Sequence, residues 1–146
     1  MQNYKNKHVR EVCHGVKEND KVAINEMADY FMNLDLINEK SILVPAPNHQ
    51  GFAMYTREIS KIIAKNTGTT VCDVLKCIPH EMLYQQKKKG IIHKPTMYLT
   101  CAIKEGTEIY FVDNVIDTGM TFFTAQQLLG HKLKALIYAS ANKKFQ

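Results

Sequence analysis

One segment of the chain gathers the residue types that hold a charged ligand: Ile109-Tyr-Phe-Val-Asp-Asn-Val-Ile-Asp-Thr-Gly-Met-Thr121. Its order is apolar run, acid, tight loop, helix start. Glu108 to Val112 read as a strand, and Val112 is its last buried residue, so Asp113 and Asn114 are delivered at its carboxyl end. In an open α/β sheet, ligands bind beyond the carboxyl ends of the strands. Asp117, Thr118, Gly119, Met120 and Thr121 then make a turn in which backbone amides can converge on an anion. The helix beginning near Thr121 adds its positive end, worth about 0.3–1 kcal/mol for one charge. Thr118 and Thr121 bring hydroxyl donors. Such a loop suits a phosphate, and the acid above it suits sugar hydroxyls. For Asp117 two readings stand: a ligand contact, or a loop cap holding backbone amides.

The elements that must position this segment follow from the apolar spacing. Residues 1–20 are polar with a short apolar patch at Val9, Val12 and Val16. From a cap at Asp20, Ile24, Met27, Ala28, Phe31 and Met32 recur at helical spacing. Ser41-Ile-Leu-Val-Pro45 reads as a buried strand ended by Pro45 and Pro47. Phe52, Tyr55, Ile59, Ile62 and Ile63 mark a second helix, stopped by Asn66, Thr67 and Gly68. Thr69 to Leu75 is a further strand candidate, and Met97 to Ile103 another. Residues 78–95 show little periodicity and read as a long loop. Phe122, Ala125, Leu128 and Leu129 give a helix closed by Gly130, and Lys134 to Ala139 a final strand. Strands alternating with helices predict one α/β domain over residues 1–146: a three-layer α/β/α sandwich around a mostly parallel sheet.

Composition agrees with a single folded domain. The 146 residues are 45% hydrophobic and 23% charged, which excludes disorder, collagen and coiled coil. The net charge of +5 suits a phosphate-rich ligand or nucleic acid, and equally a mildly basic solvated surface. Cys13, Cys72, Cys77 and Cys101 show no paired CxxC spacing. The N-terminus has no apolar signal core, and no apolar run approaches a membrane span. These features predict a reduced cytoplasmic protein with buried thiols.

The segment 109–121 resembles the phosphoribosyl-diphosphate (PRPP) motif of type I phosphoribosyltransferases. In that family an apolar strand, two acids and two apolar residues lead into a loop ending in Thr-Gly-x-Thr. Val112, Asp113, Val115, Ile116, Thr118, Gly119 and Thr121 fit. A response-regulator-like or Rossmann-like strand end is the alternative, and neither GxGxxG nor GxxxxGK occurs. One position departs: Asn114 stands where the family has its second acid. Asparagine still accepts a hydrogen bond from a ribose hydroxyl, but it removes a negative charge near a cationic transition state and Mg2+. Asp117 matches members acting on 6-oxopurines, where the aspartate lies near the purine as a proton acceptor.

The resemblance extends over residues 41–141. Ile42-Leu-Val-Pro-Ala-Pro47 followed by Asn48-His-Gln-Gly-Phe52 is similar to the first core strand and pyrophosphate loop of the competence-type, ComF-like branch. By that likeness the amides of His49, Gln50 and Gly51 hold diphosphate; a turn imposed by two prolines and a glycine is the other reading. Lys76 matches a basic residue for pyrophosphate. Residues 78–95 become the mobile catalytic loop, with Lys87, Lys88 and Lys89 closing over diphosphate, and residues 1–40 the hood over the base. The chain stops at Gln146, so it is expected to lack the base-recognition segment of purine-specific members.

The resemblance implies a Mg2+-dependent pentosyltransferase. It would transfer phosphoribose from PRPP to a nitrogenous base, with Asp113 near the metal and Asp117 as proton acceptor. A homodimer is also implied. Two rivals belong to other classes: a non-catalytic regulator that senses PRPP or a nucleotide, and a nucleic-acid accessory protein using Lys87–Lys89 and Lys143-Lys144.

Overall fold

Apolar side chains alternate between the two faces of adjacent strands, and this alternation divides the molecule into layers. The computed structural model describes residues 1–90, 94–104 and 107–146. In chain order the elements are β1 (Gln2–Asn3), α1 (Lys7–Lys17), α2 (Lys21–Met32), β2 (Ser41–Pro45), α3 (Tyr55–Thr67), β3 (Thr70–Val71), β4 (Leu75–Cys77), α4 (Leu83–Lys88), β5 (Met97–Leu99), β6 (Glu108–Ile116), α5 (Met120–Leu129) and β7 (Lys134–Ser140). A short 3-10 turn, Lys143–Phe145, follows.

Five strands form one parallel sheet in the order β1-β7-β6-β2-β3. Ser41 to Pro45 pair with Glu108 to Val112, and Tyr110 to Ile116 run beside Lys134 to Ser140. On one face Leu43, Tyr110, Val112, Leu136 and Tyr138 meet Val9, Val12, Cys13 and Val16 of α1, Met27 and Phe31 of α2, and Ile59 and Ile63 of α3. On the other face Val44 and Phe111 meet Ala125 of α5, Leu133, and Leu75, Cys77 and Met97 of an antiparallel β4–β5 hairpin. Strands covered on both sides are near-continuously apolar, as Ile-Leu-Val and Tyr-Phe-Val are. Each large side chain buried this way contributes roughly 1.5–3 kcal/mol.

The sequence also caps its helices. Asn6 accepts from the Val9 amide at the start of α1, and Asp20 from the Val22 amide at the start of α2 (2.9 Å). Gly68, at φ +75°, ends α3 with its amide on Ala64 O.

The α/β class and the mostly parallel sheet are as predicted. Several local expectations are not met. Residues 1–20 hold a full helix, because Cys13 completes the stripe Val9, Val12, Val16 at i, i+3, i+4 and i+7. Residues 1–40, expected as a hood, also supply an edge strand and two helices to the main core. The strand expected over 69–75 divides: Thr70–Val71 stays in the sheet, while Leu75–Cys77 turns away to pair with Met97–Leu99. Met97–Ile103 is a strand only to Leu99. β6 runs on through Asp113 and Asn114 to Ile116, since β7 offers partners as far as Ser140. The expected loop 78–95 contains α4, and its residues 91–93 lie outside the described residues. Cys13 and Cys77 are buried, but Cys72 is half-buried and Cys101 exposed, against the expectation for all four. Among the described residues no helix is long and apolar enough to cross a membrane.

Candidate functional site

Sheet topology locates the cleft. The crossover from β2 through α3 leads to β3 on one side, and that from β6 through α5 leads to β7 on the other. Between β2 and β6 the winding reverses, and the crevice beyond the carboxyl ends of such a pair is where open α/β sheets bind ligands. A cleft of about 1290 Å³ lies there. The 47–55 segment after β2 and residues 113–122 line it, joined by Lys17, Arg57 and Lys87.

The turn after β6 is built around Gly119, whose φ is +82°. A Cβ there would sit 2.7 Å from the Phe123 ring, so both backbone and space call for glycine. The first intrahelical bond of α5 runs from Phe123 N to Gly119 O (2.9 Å). Met120 N is taken up by Thr118 Oγ1 (3.3 Å). The amides of Gly119, Thr121 and Phe122 donate to no other described residue. They are the free N–H groups every helix start leaves. From the C-terminal segment Asn142 Nδ2 donates to Asp117 O (3.2 Å) and Ala141 N to Ile116 O (2.9 Å), bracing the turn from below. Thr118, Gly119, Met120 and Thr121 all line the cleft.

Asp113 and Asn114 reach the same wall by different degrees. Asp113 is half-buried, and its Oδ1 accepts from the Asn114 amide (2.8 Å). Burial pushes its carboxyl up to about 6, opposed by that hydrogen bond and by the Lys17 charge. Asn114 is only 3% exposed, and its Oδ1 accepts from the Tyr55 hydroxyl (3.2 Å). Its Nδ2 is buried without a partner among the described residues, at a cost of about 1–3 kcal/mol. Beside them, burial pushes the Cys13 thiol up to about 12, which keeps it protonated and unreactive.

No family model matches the chain, and no curated protein is significantly similar to it in sequence.

The loop after β2 lines the cleft, but most of its amides are bonded within the protein. Gln50 N donates to Asn48 Oδ1 (2.9 Å) and Gly51 N to Asn48 O (3.0 Å), so two of the three amides assigned to diphosphate are spent inside the loop. Gly51, at φ +109°, accepts the Cys77 amide, and a Cβ on it would lie 2.6 Å from Cys77 O. Its role is to dock the loop on β4. His49 and Gln50 still line the cleft. Lys76 does not; its Nζ pairs with Asp73 (3.1 Å), whose other oxygen faces Arg57 (3.8 Å).

The lysine run is resolved residue by residue. Lys87 Nζ reaches Asp117 Oδ2 (2.5 Å) and lines the cleft, whereas Lys89 pairs with Glu81 (2.7 Å) on its own segment. Tyr55, Lys17 and Arg57 are cleft residues that the sequence reading missed; Tyr55 counted only as part of a core stripe. Among the described residues no three His, Cys, Asp or Glu side chains converge to hold a metal ion. Asp113 accepts the Asn114 amide through Oδ1 alone, which leaves Oδ2 as an oxygen donor, and Mg2+ carried on a substrate's phosphates needs only one or two carboxylates from the protein.

Proposed function

We propose that this chain binds PRPP in the cleft and transfers its phosphoribosyl group to a nitrogenous base, releasing diphosphate. On this reading the fold is of the type I phosphoribosyltransferase kind. The observation that carries it is the Gly119 turn: three uncommitted amides and two threonine hydroxyls at one helix start, one short turn after a strand bearing a half-buried carboxylate. The amides of Gly119, Thr121 and Phe122 take the 5′-phosphate. Asp113, ionised above about pH 6, accepts from a ribose hydroxyl and fixes the ring. The base nitrogen attacks C1, the C1–oxygen bond to diphosphate breaks, and the diphosphate departs with the electron pair. Asp117 accepts the proton the base loses. Holding the reactants in line supplies most of the acceleration. Mg2+ belongs to the substrate, carried on its diphosphate, and no step is assigned to a protein-held ion.

A second reading is a non-catalytic PRPP or nucleotide sensor. Asn114 favours it: the family's second acid is replaced by an amide that is buried and tied to Tyr55. One experiment separates the two. The protein is incubated with PRPP, Mg2+ and a panel of purine and pyrimidine bases, and diphosphate release is followed. Release with any base supports transfer, PRPP binding without release supports the sensor, and no PRPP binding rejects both.

A further inference from the structure

Of the three consecutive lysines before Gly90, only Lys87 faces the cleft. His80 N donates to His49 O (2.9 Å), tying its segment to the loop after β2, and within the segment the buried Gln86 donates through Nε2 to Glu81 O (2.8 Å). The Lys87 stem extends to Asp117 Oδ2 at the cleft. Asp117 immediately precedes Thr118 and the uncommitted amides. An anion seated on those amides would lie beside the Asp117 carboxylate, with Lys87 the cation between them.

We infer that Lys87 is an exchangeable counter-ion, held by Asp117 in the protein alone and taken over by the ligand's phosphate, which leaves the Asp117 carboxylate unpaired. The inference rests on the PRPP reading and adds a coupling to it: as the Lys87 ammonium turns from the carboxylate to the phosphate, anion binding releases the group assigned to accept the base's proton. Two features make the exchange feasible. The pair is open to water, with Lys87 62% and Asp117 37% exposed, so it is screened and weakly held. A phosphate also offers more negative charge than a carboxylate, and the flexible lysine stem needs only a rotamer change to follow it.

The test is a double-mutant cycle read by calorimetric binding of ribose 5-phosphate and of PRPP at low salt. Lys87→Ala should weaken binding by about tenfold, the loss expected of one charge-assisted hydrogen bond, and Lys88→Ala by less than about twofold. Asp117→Asn should tighten binding several-fold, because Lys87 is released. That gain should vanish when Asp117→Asn is made in the Lys87→Ala background. A gain that persists without Lys87, or a Lys87→Ala protein that binds like its parent, overturns the exchange while leaving the PRPP reading intact. A parent protein that binds neither ligand overturns the reading and the exchange together. Circular dichroism of each variant confirms that the fold is kept, so a loss of binding is not a loss of structure.

Discussion

The hydroxyl of Tyr55 donates to Oδ1 of Asn114 at 3.2 Å, joining the first residue of α3 to the end of β6 across 59 positions of sequence. Burial, with the nearby Asp113 charge second, raises the Tyr55 hydroxyl well above its usual range, so it remains a donor at all ordinary pH. Asn114 has no other side-chain partner among the described residues. Tyr55→Phe therefore leaves both ends of a buried amide unmet. A loss of about 1–3 kcal/mol is expected in urea unfolding at neutral pH, with the slope of the transition unchanged.

Asp113 should make stability depend on pH in a direction unusual for a carboxylate. Its folded-state value of about 6 exceeds the ordinary 3.8, so the folded chain holds the proton more tightly than the unfolded chain does. Stability then declines as pH rises through that window, and the full cost, on the order of 3 kcal/mol, applies above it. Asp113→Asn should be more stable than its parent at about pH 7.5, with the advantage fading below about pH 4. The same variant should release no diphosphate. Unfolding curves at several pH values beside the release assay test both halves.

A second acid beside Asp113 should not be benign. Asn114 is 3% exposed and adjoins a carboxylate that burial already penalises. Asn114→Asp would bury a second charge beside the first, and like charges sharing a site drive one of them to stay protonated. The expected result is a loss of about 1–3 kcal/mol at neutral pH that shrinks as the medium is acidified, measured by thermal unfolding at two pH values. Asparagine at this position is thus accounted for by burial and by the Tyr55 hydrogen bond.

Gly119→Ala tests the turn itself. The positive φ and the Phe123 ring at 2.7 Å together resist a side chain, at a cost of about 1 kcal/mol or more. Because the distortion falls on the uncommitted amides proposed to take the phosphate, ribose 5-phosphate affinity should fall by at least about tenfold, while stability changes modestly. Equal affinity in the variant would mean that the turn does not hold the phosphate.

Local patterning made much of this legible. Ser41–Pro45 and Glu108–Val112 announce themselves as strands because both of their faces are covered, and Asp20 and Gly68 mark helix ends by their chemistry. What escaped was set by distant partners. Thr69 to Leu75 looks like one strand, but the hairpin with Met97–Leu99 draws off its end at Leu75. Asp113-Asn114 looks like a strand end, but β7 keeps pairing beyond it. The first helix is hidden in the sequence because its stripe of Val9, Val12 and Val16 is completed only by Cys13, among residues that are otherwise mostly polar. At the site, Asp113 and the turn to Thr121 are contiguous and so could be read. Tyr55 and Arg57 of α3 and Lys17 of α1 come from other elements and meet only in three dimensions. Asn48 shows the reverse: its own side chain and carbonyl consume the loop amides that the motif suggested were free.

The most direct test of the phosphate cradle is a titration of isotope-labelled protein with ribose 5-phosphate, following backbone amide resonances. The account predicts that the largest shifts, saturating together, fall on Gly119, Thr121 and Phe122, with smaller ones at Asp113 and Asn114. Saturable binding that leaves those three amides unmoved, or no binding at millimolar ligand, would contradict it.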